Sequence, residues 1–303
     1  MSVPTYARLP VEFERRRSAL LERFVEFMNK ANCPDTIALI TKAMQHGGYV
    51  AGGLVHRMMR QALRDPTRLP NVLDGYLNPS ERLNVNPTSL TRYRRGDVDV
   101  FFTTPHGLAE FRAWAGKTIA GPHLATSAGR AVEIHADNRI RVQAIERHVG
   151  PIEQVLRSFD MFNGMVAFND REEVVPVGWE QLEHQSELHV VDWSSVLVIS
   201  RIAKWFTRHE MKALTPESAA LLAPRALEIA AALERSTVKT PLGALTPHDI
   251  ATKFKQLLPH VPNANDLVLL SSLYSLDAYD GPLQQLARRS FGGPIDAMAR
   301  TSE

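Results

Sequence analysis

Two segments constrain this chain more than any other feature: the run Tyr49-Val50-Ala51-Gly52-Gly53 and the run Gly96-Asp97-Val98-Asp99-Val100-Phe101-Phe102. The first reads as a buried strand that enters a glycine turn and then a helix. The second reads as a strand with two carboxylates on one side, because residues at i and i+2 of a strand share a face. Val98, Val100 and Phe101 are then expected in a core while Asp97 and Asp99 face a cleft. Adjacent carboxylates repel, and a bound cation relieves the repulsion. Oxygen donors alone favour a hard ion such as Mg²⁺ or Mn²⁺. A helix N-terminus presents free N–H groups and the positive end of its dipole, which suits phosphate. Gly52 and Gly53 would let that phosphate approach the backbone closely. One end of the stretch therefore suits a triphosphate, and the other suits the metal that accompanies it.

This order of motifs resembles the nucleotidyltransferase superfamily of DNA polymerase β, the CCA-adding enzymes and the poly(A) polymerases. Their signature is a hydrophobic run ending in Gly-Gly or Gly-Ser, followed by a hydrophobic-flanked Asp-x-Asp. Here it stands as Val50-Ala51-Gly52-Gly53 and Asp97-Val98-Asp99, and the resemblance runs from about residue 40 to residue 205. The chain departs from it in the long gap between the two halves, where residues 66–95 carry Pro66, Pro70, Pro79 and Pro87 and read as an inserted loop. The loop ends in the basic run Thr91-Arg92-Tyr93-Arg94-Arg95, which either guides an anionic substrate to the aspartates or solubilises the loop.

The resemblance implies an α/β (α+β) chain with a mixed-sheet nucleotidyltransferase core and a C-terminal all-helical domain. The polar stretch from Asn169 to Glu187 is the expected boundary, giving a catalytic domain over 1–187 with N-terminal helices and a helical domain over 188–303. The implied partners are an NTP and a hydroxyl acceptor such as RNA. The superfamily also uses a third acidic residue beside the Asp-x-Asp strand. Glu133 qualifies because it sits between Val132 and Ile134, and Asp160 qualifies because it follows Phe159. The run Val142-Gln143-Ala144-Ile145, a short helix and then Phe159-Asp160 resembles viral and phage members, which favours Asp160. Arg201-Ile202-Ala203-Lys204-Trp205 resembles a segment of those same members, in which Arg201 and Lys204 would contact the triphosphate. The alternative for that pair is a surface couple on a helix buried through Ile202 and Trp205.

Elsewhere the chain reads as follows. A helix is expected over Val11–Asn32, with Arg15, Arg16 and Arg17 on its solvated face, and a second over Ile37–Gln45. Leu54–Leu63 forms the helix after the glycine turn, where His56 or Arg57 either holds phosphate or, for Arg57, lies on the surface. Further helices are expected over Pro105–Lys117, Pro151–Ser158 and Trp193–His209, the last capped by Asp192. A hairpin is expected over 131–145, and a strand over Met161–Phe168. Helices over Ser218–Arg235, Pro247–Leu258 and Asp266–Ala278 complete the chain, with a loose tail from Gly292.

Composition removes other classes. Of 303 residues 44% are hydrophobic, enough for a sizeable core, and the net charge of +2 builds no global field for nucleic acid. Cys33 is the only cysteine, which excludes an internal disulfide or a cysteine metal cluster and fits a reducing, intracellular setting, the cytoplasm of an infected cell for a viral or phage relative. The start, MSVPTYARLPVEFERRR, is polar where a signal peptide is apolar, and no window is long enough to span a membrane. There is no HExxH, no G-x-S-x-G and no Walker A sequence. The competing readings are a non-catalytic nucleotide- or RNA-binding protein that keeps the fold, and a toxin-type enzyme that modifies a protein or tRNA.

Overall fold

The computed structural model describes residues 4–11, 20–30, 34–64, 97–118, 124–127, 131–137, 140–179, 186–209, 211–236 and 246–257. The chain forms two compact units, Met1–Gln185 and Ser186–Glu303. The first is a mixed eight-stranded sheet in the order β1-β8-β7-β2-β3-β6-β5-β4. Its strands are β1 (Tyr6–Pro10), β2 (Gly48–Ala51), β3 (Asp97–Phe102), β4 (Leu124–Ser127), β5 (Ala131–Asp137), β6 (Ile140–Ile145), β7 (Ala167–Phe168) and β8 (Glu172–Pro176). β3 and β6 run parallel, and the other neighbours are antiparallel. The mixed α/β class is as the motifs imply.

Alternation along the central strands sorts the faces. Val98, Val100 and Phe102 of β3 are fully buried, together with Val50 of β2 and Val142 and Ala144 of β6. Four helices cover this side: α1 (Leu20–Lys30), α2 (Pro34–Gln45), α3 (Gly53–Arg64) and α4 (Pro105–Thr118). Phe24 packs on Phe168 with ring centres 5.9 Å apart, and Phe102 on Phe111 at 5.3 Å. The buried Glu173 of β8 accepts a 2.7 Å hydrogen bond from the Leu20 N–H, which satisfies a free donor in the first turn of α1. α4 rests on the turn between α2 and β2 through Gly107, where a Cβ would overlap the backbone carbonyl oxygen of His46. Backbone cannot yield as a flexible side chain can. Gly107→Ala should therefore lower the stability by about 2 kcal/mol, the usual scale of overpacking, and an unchanged melting temperature would contradict this contact.

Some sequence expectations meet a different outcome, and others fall on residues outside those described. Within the Val11–Asn32 span, helix is found over Leu20–Lys30, and residues 12–19 lie outside those described. The inserted loop 66–95, Cys33, residue Asn138 of the expected hairpin, and the expected helix and tail beyond residue 257 also lie outside them. The N-terminal residues 6–10 form an edge strand paired with β8, and the stretch taken as a boundary contains β8 itself. Strand Met161–Phe168 is replaced by a 3₁₀ turn at Phe162–Gly164 and the two-residue β7. Gly164 N–H and Met165 N–H close tight turns onto Met161 O and Phe162 O, which removes them from a ladder.

The second unit pairs β9 (Glu187–Leu188) in parallel with β10 (Ala213–Leu214) and is otherwise helical among the described residues. Its helices are α6 (Val198–Arg208), α7 (Pro216–Glu234) and α8 (Pro247–Leu257), after α5 (Ile152–Arg157) of the first unit. α6 starts five residues later than expected, because Asp192 accepts from Ser194 N–H and Ser195 Oγ from Leu197 N–H. Such local bonds hold a backbone out of the helix. α7 is capped by Thr215, and Thr246 and Asp249 exchange bonds at the start of α8. No helix among the described residues is long and apolar enough to cross a membrane.

His189 lies 3.2 Å from Thr215 Oγ1. Burial pushes its imidazole below the ordinary value of 6.5, against the opposing pull of Glu217. The unfolded chain therefore binds the proton more readily. This contribution to stability is complete above pH 6.5 and is lost as the pH falls from there through the depressed folded value. Melting should occur at a lower temperature near about pH 5.5 than near about pH 7.5, and His189→Gln should flatten that difference.

Candidate active site

The face of the sheet opposite α1–α4 bears Asp99 and its β6 neighbour Gln143. Asp97 and Asp99 occupy alternate positions of β3 and so share this face. Asp99 is half-buried, while Val98 and Val100 on either side of it anchor the strand in the core. Phe101 belongs to the aspartate face as well, not to the helix-covered core expected for it. It is buried there by Phe159, with ring centres 5.3 Å apart. Alternation decides this: Phe101 is two residues from Asp99 and three from Val98.

Strand register extends the site sideways. Asp97 is in register with Arg141 of β6, and Arg141 with His135 of β5. Asp99 is in register with Gln143 of β6, and Gln143 with Glu133 of β5. Glu133 therefore stands two strands from β3, with the Gln143 row between them. Asp160 lies on the other side. It follows α5 and Phe159, in the bend that leads to β7 beside β2.

The glycine turn meets this arrangement at the sheet edge. The pairing Val50↔Val100, carried one residue further, brings Ala51 alongside Asp99. Gly52 then turns with φ +92°, a left-handed conformation that side chains rarely adopt. Its N–H donates to Val166 O at 3.2 Å, and its carbonyl accepts the first helical bond from His56 N–H at 3.1 Å. α3 thus begins at Gly53 with its N-terminus at the carboxylate end of β3. A Cβ on Gly52 would lie 3.8 Å from the Phe159 ring. Gly52, Phe101 and Phe159 consequently share one corner with Asp160 next in the chain.

His56, Arg57 and Arg60 follow on α3 and are buried. Arg57 is 6% exposed, so the surface reading of this residue does not hold. Its charge sits inside the fold one turn from the glycines. Arg201 and Lys204 lie three apart on α6 of the second unit, each half-buried, next to the buried Ile202 and Trp205.

Among the described residues no three His, Cys, Asp or Glu side chains converge as a ready-made metal cage. Asp97 and Asp99 hold alternate backbone positions of β3, Gln143 is in register with Asp99, and Asp160 follows Phe159 at the adjoining corner. Such a set of oxygen donors fits a hard divalent ion and does not fit a thiolate- or imidazole-seeking one.

No protein-family model matches the chain, and no curated protein matches it. Solved structures do. A CCA-adding enzyme in complex with CTP is similar with a TM-score of 0.51 at 14% identity, over 100% of this chain and 64% of that one. The Thermotoga maritima CCA-adding enzyme complexed with its tRNA matches with a TM-score of 0.44 at 15% identity, over 91% of this chain and 71% of that one. This chain therefore spans just under two thirds of the length of the first enzyme. The likeness is one of fold alone.

Proposed function

We propose that the chain is a metal-dependent nucleotidyltransferase, which moves a nucleoside monophosphate from an NTP to a hydroxyl acceptor on RNA and releases pyrophosphate. One observation carries the reading: the carboxylate end of β3 and the N-terminus of α3 meet at Gly52. A scaffold gains nothing from paired carboxylates beside a phosphate-ready helix end, because like charges repel. The fold likeness to a CCA-adding enzyme with CTP agrees with it.

In this reading Asp97 and Asp99 would hold Mg²⁺ or Mn²⁺, with Asp160 as third carboxylate and Glu133 as the alternative. The metal would neutralise triphosphate charge and lower the pKa of the acceptor hydroxyl. The N–H groups that open α3 receive phosphate oxygens, and the missing side chain at Gly52 leaves them room. Arg57 adds positive charge behind that turn, and Arg201 and Lys204 are proposed as further triphosphate contacts. The protein's part is positioning and charge neutralisation, with no protein nucleophile. Asp160 is preferred because Phe159 packs on Phe101 and lies against Gly52, whereas Glu133 is two strands removed from β3. The Phe159-Asp160 and Arg201–Trp205 segments favour the viral and phage branch of the superfamily and an intracellular site of action.

The test is incubation with each of four α-³²P-labelled NTPs and Mg²⁺ or Mn²⁺, with total RNA and the protein itself offered as acceptors. Label is expected on RNA. Label on protein instead reassigns the enzyme to the toxin type. No label on any acceptor, combined with NTP binding by calorimetry, replaces the enzyme with a binding protein.

A further inference from the structure

We propose that β1 is a clasp for the Phe159–Asp160 corner of the site, and that Arg8 is its positioning residue. For its catalytic consequence the inference rests on the nucleotidyl-transfer reading, but the clasp itself is read from contacts. β1 lies at the sheet edge, four strands from β3 in the order of the sheet. Tyr6 and Arg8 are two apart in it and share the face that carries the aspartates.

Both reach α5, the helix whose exit delivers Phe159. Arg8 Nε donates to Glu153 Oε1 at 2.7 Å in the first turn of α5, and Arg8 Nη1 donates to Glu172 Oε1 of β8 at 2.9 Å. Tyr49 Oη of β2 donates to that same Glu172 oxygen at 2.7 Å. At the last turn of α5, the Arg157 guanidinium lies 5.6 Å from the centre of the Tyr6 ring, and its Nη2 donates to Pro4 O at 3.4 Å. Tyr6 Oη donates to Met165 Sδ at 3.6 Å, just before Val166, whose carbonyl receives the Gly52 N–H. β1 therefore grips both ends of α5 and the segment that returns to the glycine turn. Between those grips stand Phe159, against Phe101 and Gly52, and Asp160.

α5 has only six residues, and a helix that short does not hold its place by its own propensity. Its apolar side, Ile152, Val155 and Leu156, sets depth against the sheet, while a guanidinium fork shared between two carboxylates on two elements sets direction. Arg8 is half exposed, and exposed pairs add little to global stability. Its effect is expected where it is anchored.

The test is hydrogen–deuterium exchange of the full chain, with nucleotide-transfer kinetics alongside, on the wild-type protein and on Arg8→Ala, Glu153→Ala and Arg8→Lys. In Arg8→Ala and Glu153→Ala, exchange should speed up by roughly fivefold to tenfold in peptides holding Phe159, Gly164, Met165 and Gly52, with α7 peptides unchanged. Arg8→Lys, which keeps a cation for Glu153 but loses the fork to Glu172, should fall between wild type and the alanine variants. In transfer, the two alanine variants should lower kcat roughly tenfold and raise the Mg²⁺ needed for half-maximal rate, without a matching fall in melting temperature. Unchanged exchange in those peptides overturns the clasp. Faster local exchange with unaltered kcat and Mg²⁺ requirement overturns the positioning role. A wild-type protein that labels no acceptor overturns the transfer reading instead, and the exchange result still decides the clasp.

Discussion

In Asp97→Ala/Asp99→Ala, nucleotide transfer should fall by at least about 10³-fold, the rate equivalent of several kcal/mol of charge neutralisation at the transferring phosphate. The melting temperature should not fall with it. Asp99 faces the side of β3 away from Val98, Val100 and Phe102, so the substitution leaves the core packing as it is. It also removes a like-charged pair from one strand face, a source of repulsion in the folded state. Stability and activity are thereby separated in one variant. Activity that survives the double substitution contradicts the role given to these residues. A collapse in melting temperature would make them structural instead. The readouts are label transfer at saturating Mg²⁺ and a thermal melt of the same preparation.

Gly52→Ala tests the other half of the site. At φ +92° an alanine is strained by roughly 1–2 kcal/mol, so the turn either tolerates the strain or rotates the first N–H groups of α3. Space is not the obstacle, because the new Cβ meets only the Phe159 ring at an ordinary 3.8 Å. The protein should therefore fold, with a small loss of stability. NTP binding should weaken on the order of tenfold to 10²-fold, since the methyl group and the rotated turn both act where phosphate approaches the backbone. The measurement is calorimetric titration of NTP into the variant. Wild-type affinity would remove the glycine turn from the site. Gly52→Val should be worse again, because a branched residue is least tolerant of that conformation.

The central elements were legible because their patterns are local. Val50 and Ala51 before Gly52, and the alternation Asp97-Val98-Asp99-Val100, specify strand, turn and face without reference to the rest of the chain. α2, α3, α4, α7 and α8 emerge within a few residues of their expected spans, because periodic apolar residues bury one side of each. The edge strand β1 and its neighbour β8 were not legible. Tyr6–Pro10 and Glu172–Pro176 mix charge with apolar residues, and β1 becomes a strand through pairing with β8 across more than 160 positions of sequence. The face taken by Phe101 was misjudged because an aromatic next to a valine run suggests a single core. The sheet has two sides, and Phe159 supplies a second burial site on the aspartate face.

Residue types and short spacings set the chemistry on offer: two carboxylates at strand spacing, a glycine pair before a helix, and an acidic residue after Phe159. Those depend on residue type and on separations of a few positions. Tertiary structure alone decided which of these meet. The register of β2 on β3 sets Gly52 beside the carboxylates, the order of β3, β6 and β5 puts Glu133 two strands away, and the clasp of β1 on α5 brings Asp160 to the corner. Register and edge pairing are settled by contacts between residues far apart in the chain, and no local pattern encodes a partner at that distance.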